Sequence, residues 1–172
     1  MIRKEEISDW FKSLQDNICK ALEAADTTGK FIEDNWLRNE GGGGCTRILQ
    51  EGTIIEKGGV LFSAVHGPVP AFLSNESEII KKEDTFYATG VSIVIHPKNP
   101  MVPIVHMNVR YFEMSNGIWW FGGGIDLTPH YVFEEDARFF HEALKAACDK
   151  HDKSYFEKFK NWADDYFFIQ HR

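Results

Sequence analysis

At 172 residues, 43% of them hydrophobic, the chain is long enough to build one domain around a buried core. Its formal net charge of -7 argues against non-specific nucleic-acid binding, and an anionic partner would have to be met by locally placed arginine. No run approaches the roughly 18 apolar residues of a membrane span, and the opening MIRKEEISDWF turns polar and acidic at once, unlike a signal peptide.

The cysteines Cys19, Cys45 and Cys148 are scattered and odd in number, which fits a reducing compartment and shows no metal-site spacing. Fourteen Phe and five Trp suit a large apolar sheet face or a cavity for a flat ligand. No internal repeat is visible.

In chain order, residues 7–25 predict an amphipathic helix. Trp10, Phe11, Leu14, Ile18 and Leu22 fall at spacings of three and four, and Ser8 or Asp9 is placed to cap it. FIEDNWLRNE then leads into Gly41-Gly42-Gly43-Gly44. Four glycines serve either as a flexible link or as a place where backbone closely approaches a ligand or another strand. No strand precedes them and no Lys-Ser/Thr follows, so they are not a phosphate loop.

Residues 45–49 read as a strand. Glu51-Gly52 and Lys57-Gly58-Gly59 read as two hairpin turns, and residues 60–65 as the next strand, closed by His66-Gly67-Pro68. His66, at a strand end, is more readily a surface or backbone-bonded histidine than a site residue. Residues 71–83 read as a loop. Pro97 and Pro100 bound a short stiff connection, and Asn116-Gly117 predicts a tight turn between residues 111–114 and 118–121. Gly122-Gly123-Gly124 is expected to break the strand after it, with the next helical region starting around Thr128-Pro129. Residues 133–150 and 154–169 predict two closing helices, the first with Glu134, Glu135 and Asp136 at its positive end.

The stretch from Phe86 to Phe121 carries the chemistry. Residues two apart share a face of a strand, so Ile104, His106, Asn108, Arg110 and Phe112 line one face. Val105, Met107, Val109 and Tyr111 line the other. Buried polar groups must be paired, so a row of His, Asn and Arg is costly on a core sheet. Ser92, Val94 and His96 also share a face, and pairing the two strands with these faces together gathers one polar floor.

Arginine in a pocket binds carboxylate or phosphate through two-pronged hydrogen bonds; the competing reading pairs Arg110 with a local acid such as Glu113. Asp126, flanked by Ile125 and Leu127, suits either a base or a pyrrole-type N–H acceptor, or a turn cap before Thr128-Pro129. His96, His106, His141 and His171 lack the short helical spacing of zinc enzymes.

Five segments resemble the oxygen-dependent coproporphyrinogen III oxidase family: EGGGG (40–44), VSIVIHP (91–97), HMNVRYFE (106–113), WWFGGGIDLTP (119–129) and YFFIQHR (166–172). The resemblance runs collinearly over nearly the whole chain. It implies an α+β fold, a large flat antiparallel sheet with helices on both sides. It also implies oxidative decarboxylation of two propionates of coproporphyrinogen III to vinyls, giving protoporphyrinogen IX. O2 is the co-substrate, no organic cofactor is used, and a divalent metal, manganese, is described for bacterial members.

By the matching motifs, Ser92, Asn108, Val109 and Arg110 are implied substrate-binding positions, and His106 and Asp126 catalytic ones. His106 is the implied proton donor, and His96, His106, His141 and His171 are implied metal ligands. A cytoplasmic homodimer is expected. Leu61 departs from the family, which usually carries a polar residue there. Family chains also run well past YFFIQHR, so residues 1–172 are expected to form one incomplete domain, poorly active without a C-terminal half. A non-catalytic tetrapyrrole binder and a histidine-ligated iron oxygenase are the competing expectations.

Overall fold

The computed structural model describes residues 3–69, 81 and 83–169. It falls into two compact units, Met1–Pro129 and His130–Arg172. The expected loop at 71–83 lies mostly outside the described residues, as does His171.

The first unit is α+β, as the sequence implied. Helix α1 spans Lys4–Asp26, and six strands follow: β1 Ile32–Leu37, β2 Gly42–Gln50, β3 Ile55–Pro68, β4 Thr85–Pro97, β5 Ile104–Met114 and β6 Trp119–Thr128. They pair antiparallel in sequence order, β1-β2-β3-β4-β5-β6, in one sheet. Antiparallel neighbours need only short connections, which is why turn residues rather than helices join these strands.

α1 begins a turn earlier than its spacing suggested. Glu6 accepts the backbone N–H of Arg3 at 3.2 Å, and Ser8, a proposed cap, is instead buried inside the helix. The helix lays Ile7, Phe11 and Cys19 on Val60, Phe62, Val91, Ile93 and Tyr111. Cross-strand register places those strand residues on one face of the sheet, which is the core face. Gln15, buried within α1, donates from Nε2 to the carbonyls of Cys45 at 2.8 Å and Val60 at 2.9 Å.

Asp26 closes the helix. Its buried carboxylate accepts backbone N–H groups from Gly29, Thr53, Ile54 and Ile55 at 2.6 to 2.9 Å. The N–H of Ile55, joined by those of Ile54, Gly29 and Thr53, holds this carboxyl well below the usual range against the cost of burying it. One side chain thus ties the end of α1 to the β2–β3 turn.

Two glycine-rich stretches, one expected as a hairpin turn and one as a strand break, are strand. Gly58 pairs with Leu49 and Ile95, and Gly59 with Ile48 and Val94, so Lys57-Gly58-Gly59 lies inside β3. The turn sits at Glu51-Gly52, where Glu51 adopts φ 54°. Gly122, Gly123 and Gly124 pair with Arg110, Val109 and Asn108, so β6 runs unbroken to Thr128. A glycine keeps its backbone donor and acceptor, and a fully formed β5 supplies the ladder whatever the side chain. Gly42–Gly44 likewise open β2 opposite β3. β1, which the sequence pattern does not reveal, pairs with β2 and is exposed along its length.

The second unit carries helices α2, Glu134–Asp149, and α3, Tyr155–Phe167. His141 of α2 meets Phe156 of α3 edge to face, ring centroids 6.2 Å apart.

Candidate active site

The strand parity read from sequence is the parity of the sheet. Three cross-strand rows stand on the face that α1 does not cover. They are Gly90–Arg110–Gly122, Ser92–Asn108–Gly124 and Val94–His106–Asp126. Ser92 thus faces Asn108 in register, as the polar-floor pairing requires. Leu61 pairs with Ser92 on the other side and is 39% exposed, a bare apolar position beside the row.

At one end of the rows stand stacked rings. Phe112 lies 4.3 Å from Trp120 and 5.9 Å from Phe86, centroid to centroid. At the other end His96 meets His106 edge to face with centroids 6.5 Å apart.

The closest chemistry is between β5 and β6. His106 Nδ1 lies 3.1 Å from Asp126 Oδ2, and Thr128 Oγ1 donates to that same oxygen at 3.0 Å. An ionised carboxylate only accepts, so this contact assigns a ring hydrogen to Nδ1. Asp126 Oδ1 has no partner among the described residues. The His106 side chain is 40% exposed and that of Asp126 is 20% exposed, so the pair is reachable and partly desolvated. Asp126 is therefore a strand residue with a partner across the sheet and not a turn cap.

Arg110 is exposed and makes no ion pair among the described residues. Glu113 is not its partner, because odd-numbered β5 residues face α1. Glu113 instead takes Tyr111 Oη at 2.8 Å and Lys4 Nζ at 3.1 Å. The side chain of Val109 packs into the core cluster, so Val109 can serve the polar face only through its main chain. A cleft of about 700 Å³ opens between α1 and the β1–β2 hairpin, lined by Lys12, Gln15, Asn35, Arg47 and Phe62. It holds none of the row's residues.

Of the four histidines implied as metal ligands, the sheet brings His96 and His106 together, and His141 belongs to the second unit. Among the described residues no three His, Cys, Asp or Glu side chains cluster as a metal centre needs. Thr128 is the site residue that sequence reasoning missed. It shares strand parity with Asp126, a signal that the glycines, with their turn-like composition, conceal.

The sequence profile of the coproporphyrinogen III oxidase family matches residues 6–172. The chain belongs to the coproporphyrinogen III oxidase family. It is 52% identical over 161 residues to the oxygen-dependent coproporphyrinogen-III oxidase of Prochlorococcus marinus (strain NATL1A), covering 92% of this chain and 45% of that protein. It is 50% identical over 161 residues to the protein of that name from Synechococcus sp. (strain CC9605), covering 92% and 44%. A third, from Prochlorococcus marinus (strain MIT 9312), is 49% identical over 170 residues, covering 98% and 49%. The chain thus spans about half the length of the curated coproporphyrinogen III oxidases it matches.

Proposed function

We propose that the protein, at its natural length, converts coproporphyrinogen III to protoporphyrinogen IX with O2, in haem biosynthesis. The observation that carries this is the His106–Asp126–Thr128 cluster beside Asn108 and Arg110 on one open sheet face. Relatives 49% to 52% identical, named for this oxidase, support it.

Each propionate loses CO2 and becomes a vinyl. Arg110 holds a propionate carboxylate through charge-assisted hydrogen bonds, and Asn108 and Ser92 add neutral ones. Asp126, anchored at Oδ2, presents Oδ1 to a pyrrole N–H and takes its proton. The electron pair of the β C–H bond passes through the electron-rich pyrrole to O2. The β-proton and one delivered by His106 leave with it as hydrogen peroxide. The electron pair of the bond to the carboxyl carbon becomes the second bond of the vinyl as CO2 departs, and Asp126 returns the pyrrole proton.

No organic cofactor enters this chemistry. The implied divalent metal, manganese with histidine ligands, is tested by chelation and manganese re-addition in the same assay. A homodimer in the cytoplasm completes the proposal, with sedimentation and cell fractionation as its tests. The reaction is tested by supplying coproporphyrinogen III to the natural-length protein and counting O2 consumed against CO2 released. One O2 per CO2 is expected, and no O2 uptake by the folded protein overturns the proposal.

A further inference from the structure

We infer that Gly122 and Gly124 are substrate-contact positions, a floor kept bare so that a flat macrocycle lies against the backbone of β6. The inference rests on the proposed substrate. Glycine inside a strand weakens it, because it has no side chain to pack and more freedom to lose. A strand glycine is accounted for when its φ is left-handed, when a neighbour leaves no room for Cβ, or when something outside the chain comes close.

The first two reasons cover the glycines around the site. Gly117 turns the β5–β6 hairpin with φ +90°. A Cβ on Gly90 would strike the Val109 carbonyl and come within 2.8 Å of Arg110 Cβ. One on Gly123 would strike the Asn108 carbonyl, one on Gly44 the ring of Trp36. Gly59 is closed in by Ile48 Cδ1 and Leu61 Cδ1, both at 3.3 Å.

Neither reason covers Gly122 or Gly124. Neither has a left-handed φ. A Cβ on Gly124 would meet nothing within 4 Å, and one on Gly122 only Trp120 Cδ1 at 3.8 Å. Both stand on the face of the polar rows, Gly122 opposite Arg110 and Gly124 opposite Asn108, leading directly to Asp126. A side chain there would rise between the propionate-binding Arg110 and the acid that meets the pyrrole N–H. The ligand that needs such a clearing is broad and flat, with an acidic arm at Arg110, an N–H at Asp126 and an edge near the Phe112–Trp120 stack.

The test uses Gly122→Ala, Gly124→Ala and Gly124→Leu in the natural-length protein. Three quantities are read: thermal unfolding, turnover of coproporphyrinogen III, and fluorescence-monitored binding of the unreactive coproporphyrin III. The melting temperature is expected to hold or rise in all three. Binding and kcat/KM are expected to fall modestly for alanine and by about a hundredfold for leucine, as an ångström-scale displacement from the acid requires. Gly90→Ala, by contrast, should lower the melting temperature.

A folded Gly124→Leu protein that binds coproporphyrin III and turns over like the parent overturns the inference. So does a fall in melting temperature for Gly124→Ala, which would mean that another protein segment packs on the floor. If the parent itself turns over no coproporphyrinogen, the reaction assignment fails. The floor is then decided by coproporphyrin binding alone.

Discussion

His106 and Asp126 stand directly opposite each other on β5 and β6, with Nδ1 3.1 Å from Oδ2. That pairing couples an imidazole to a carboxylate through the sheet's own register, with no loop needed to bring them together. Thr128, two residues on along β6, holds the same oxygen. Both anchors therefore fall on Oδ2, and Oδ1 is left to meet a ligand. A rigid strand pair positions such a constellation more closely than a loop does.

Thr128→Val should keep the shape of the side chain and lose the donor. A hydrogen bond to a charged group is worth about 1.5–3 kcal/mol, so kcat should fall roughly ten- to a hundredfold. KM should stay near its starting value, because Thr128 acts through Asp126. Steady-state kinetics check this, and Thr128→Ser should recover most of the lost rate. An unchanged kcat, or no recovery with serine, would remove Thr128 from the site.

Arg110→Ala should act on binding. The guanidinium is exposed and free of ion pairs among the described residues, so its loss should leave the melting temperature nearly unchanged. KM should rise about ten- to a hundredfold with the loss of charge-assisted hydrogen bonds to a carboxylate. Arg110→Lys should recover part of this, since a point charge cannot reproduce the two-pronged contact. Binding of a tetrapyrrole whose propionates are esterified should be indifferent to either change.

Asp26 sets the acid limit of the fold. The Ile55 N–H and three further backbone donors hold its carboxyl well below the ordinary value. A free aspartate protonates near pH 4, so the ionised side chain contributes fully above about that pH. Its contribution is lost as pH falls through the lower folded value. Asp26→Asn should therefore cost several degrees of melting temperature at neutral pH and flatten the decline of stability below about pH 4. Melting curves across acid pH check this. Parallel profiles for the two proteins would contradict it.

The sequence revealed the middle of the site and concealed its edge. Alternation along Ser92–His96 and His106–Phe112 is a period-2 signal carried by side chains, and the paired register of Ser92 with Asn108 follows it. The glycines carry no such signal. Lys57-Gly58-Gly59 and Gly122-Gly123-Gly124 have turn composition but are strands, because their pairing is imposed by β2, β4 and β5. With β6 taken as broken, Asp126 has no register, and neither its contact with His106 nor that of Thr128 can be derived. β1 was hidden for a similar reason. Its IEDNWL is exposed on both faces, so burial imposes no alternation on it.

The claim at the centre of this account is that the carboxylate of Asp126 takes and returns a proton on the substrate. Asp126→Asn keeps the size of the side chain and an oxygen for Thr128 while removing the base. The decisive measurement is the turnover of coproporphyrinogen III by this variant at natural length, alongside its melting curve and its binding of coproporphyrin III. We expect folding to be preserved, coproporphyrin III still to bind, and kcat to fall about a thousandfold. Near-normal turnover by a well-folded Asp126→Asn protein would contradict the account.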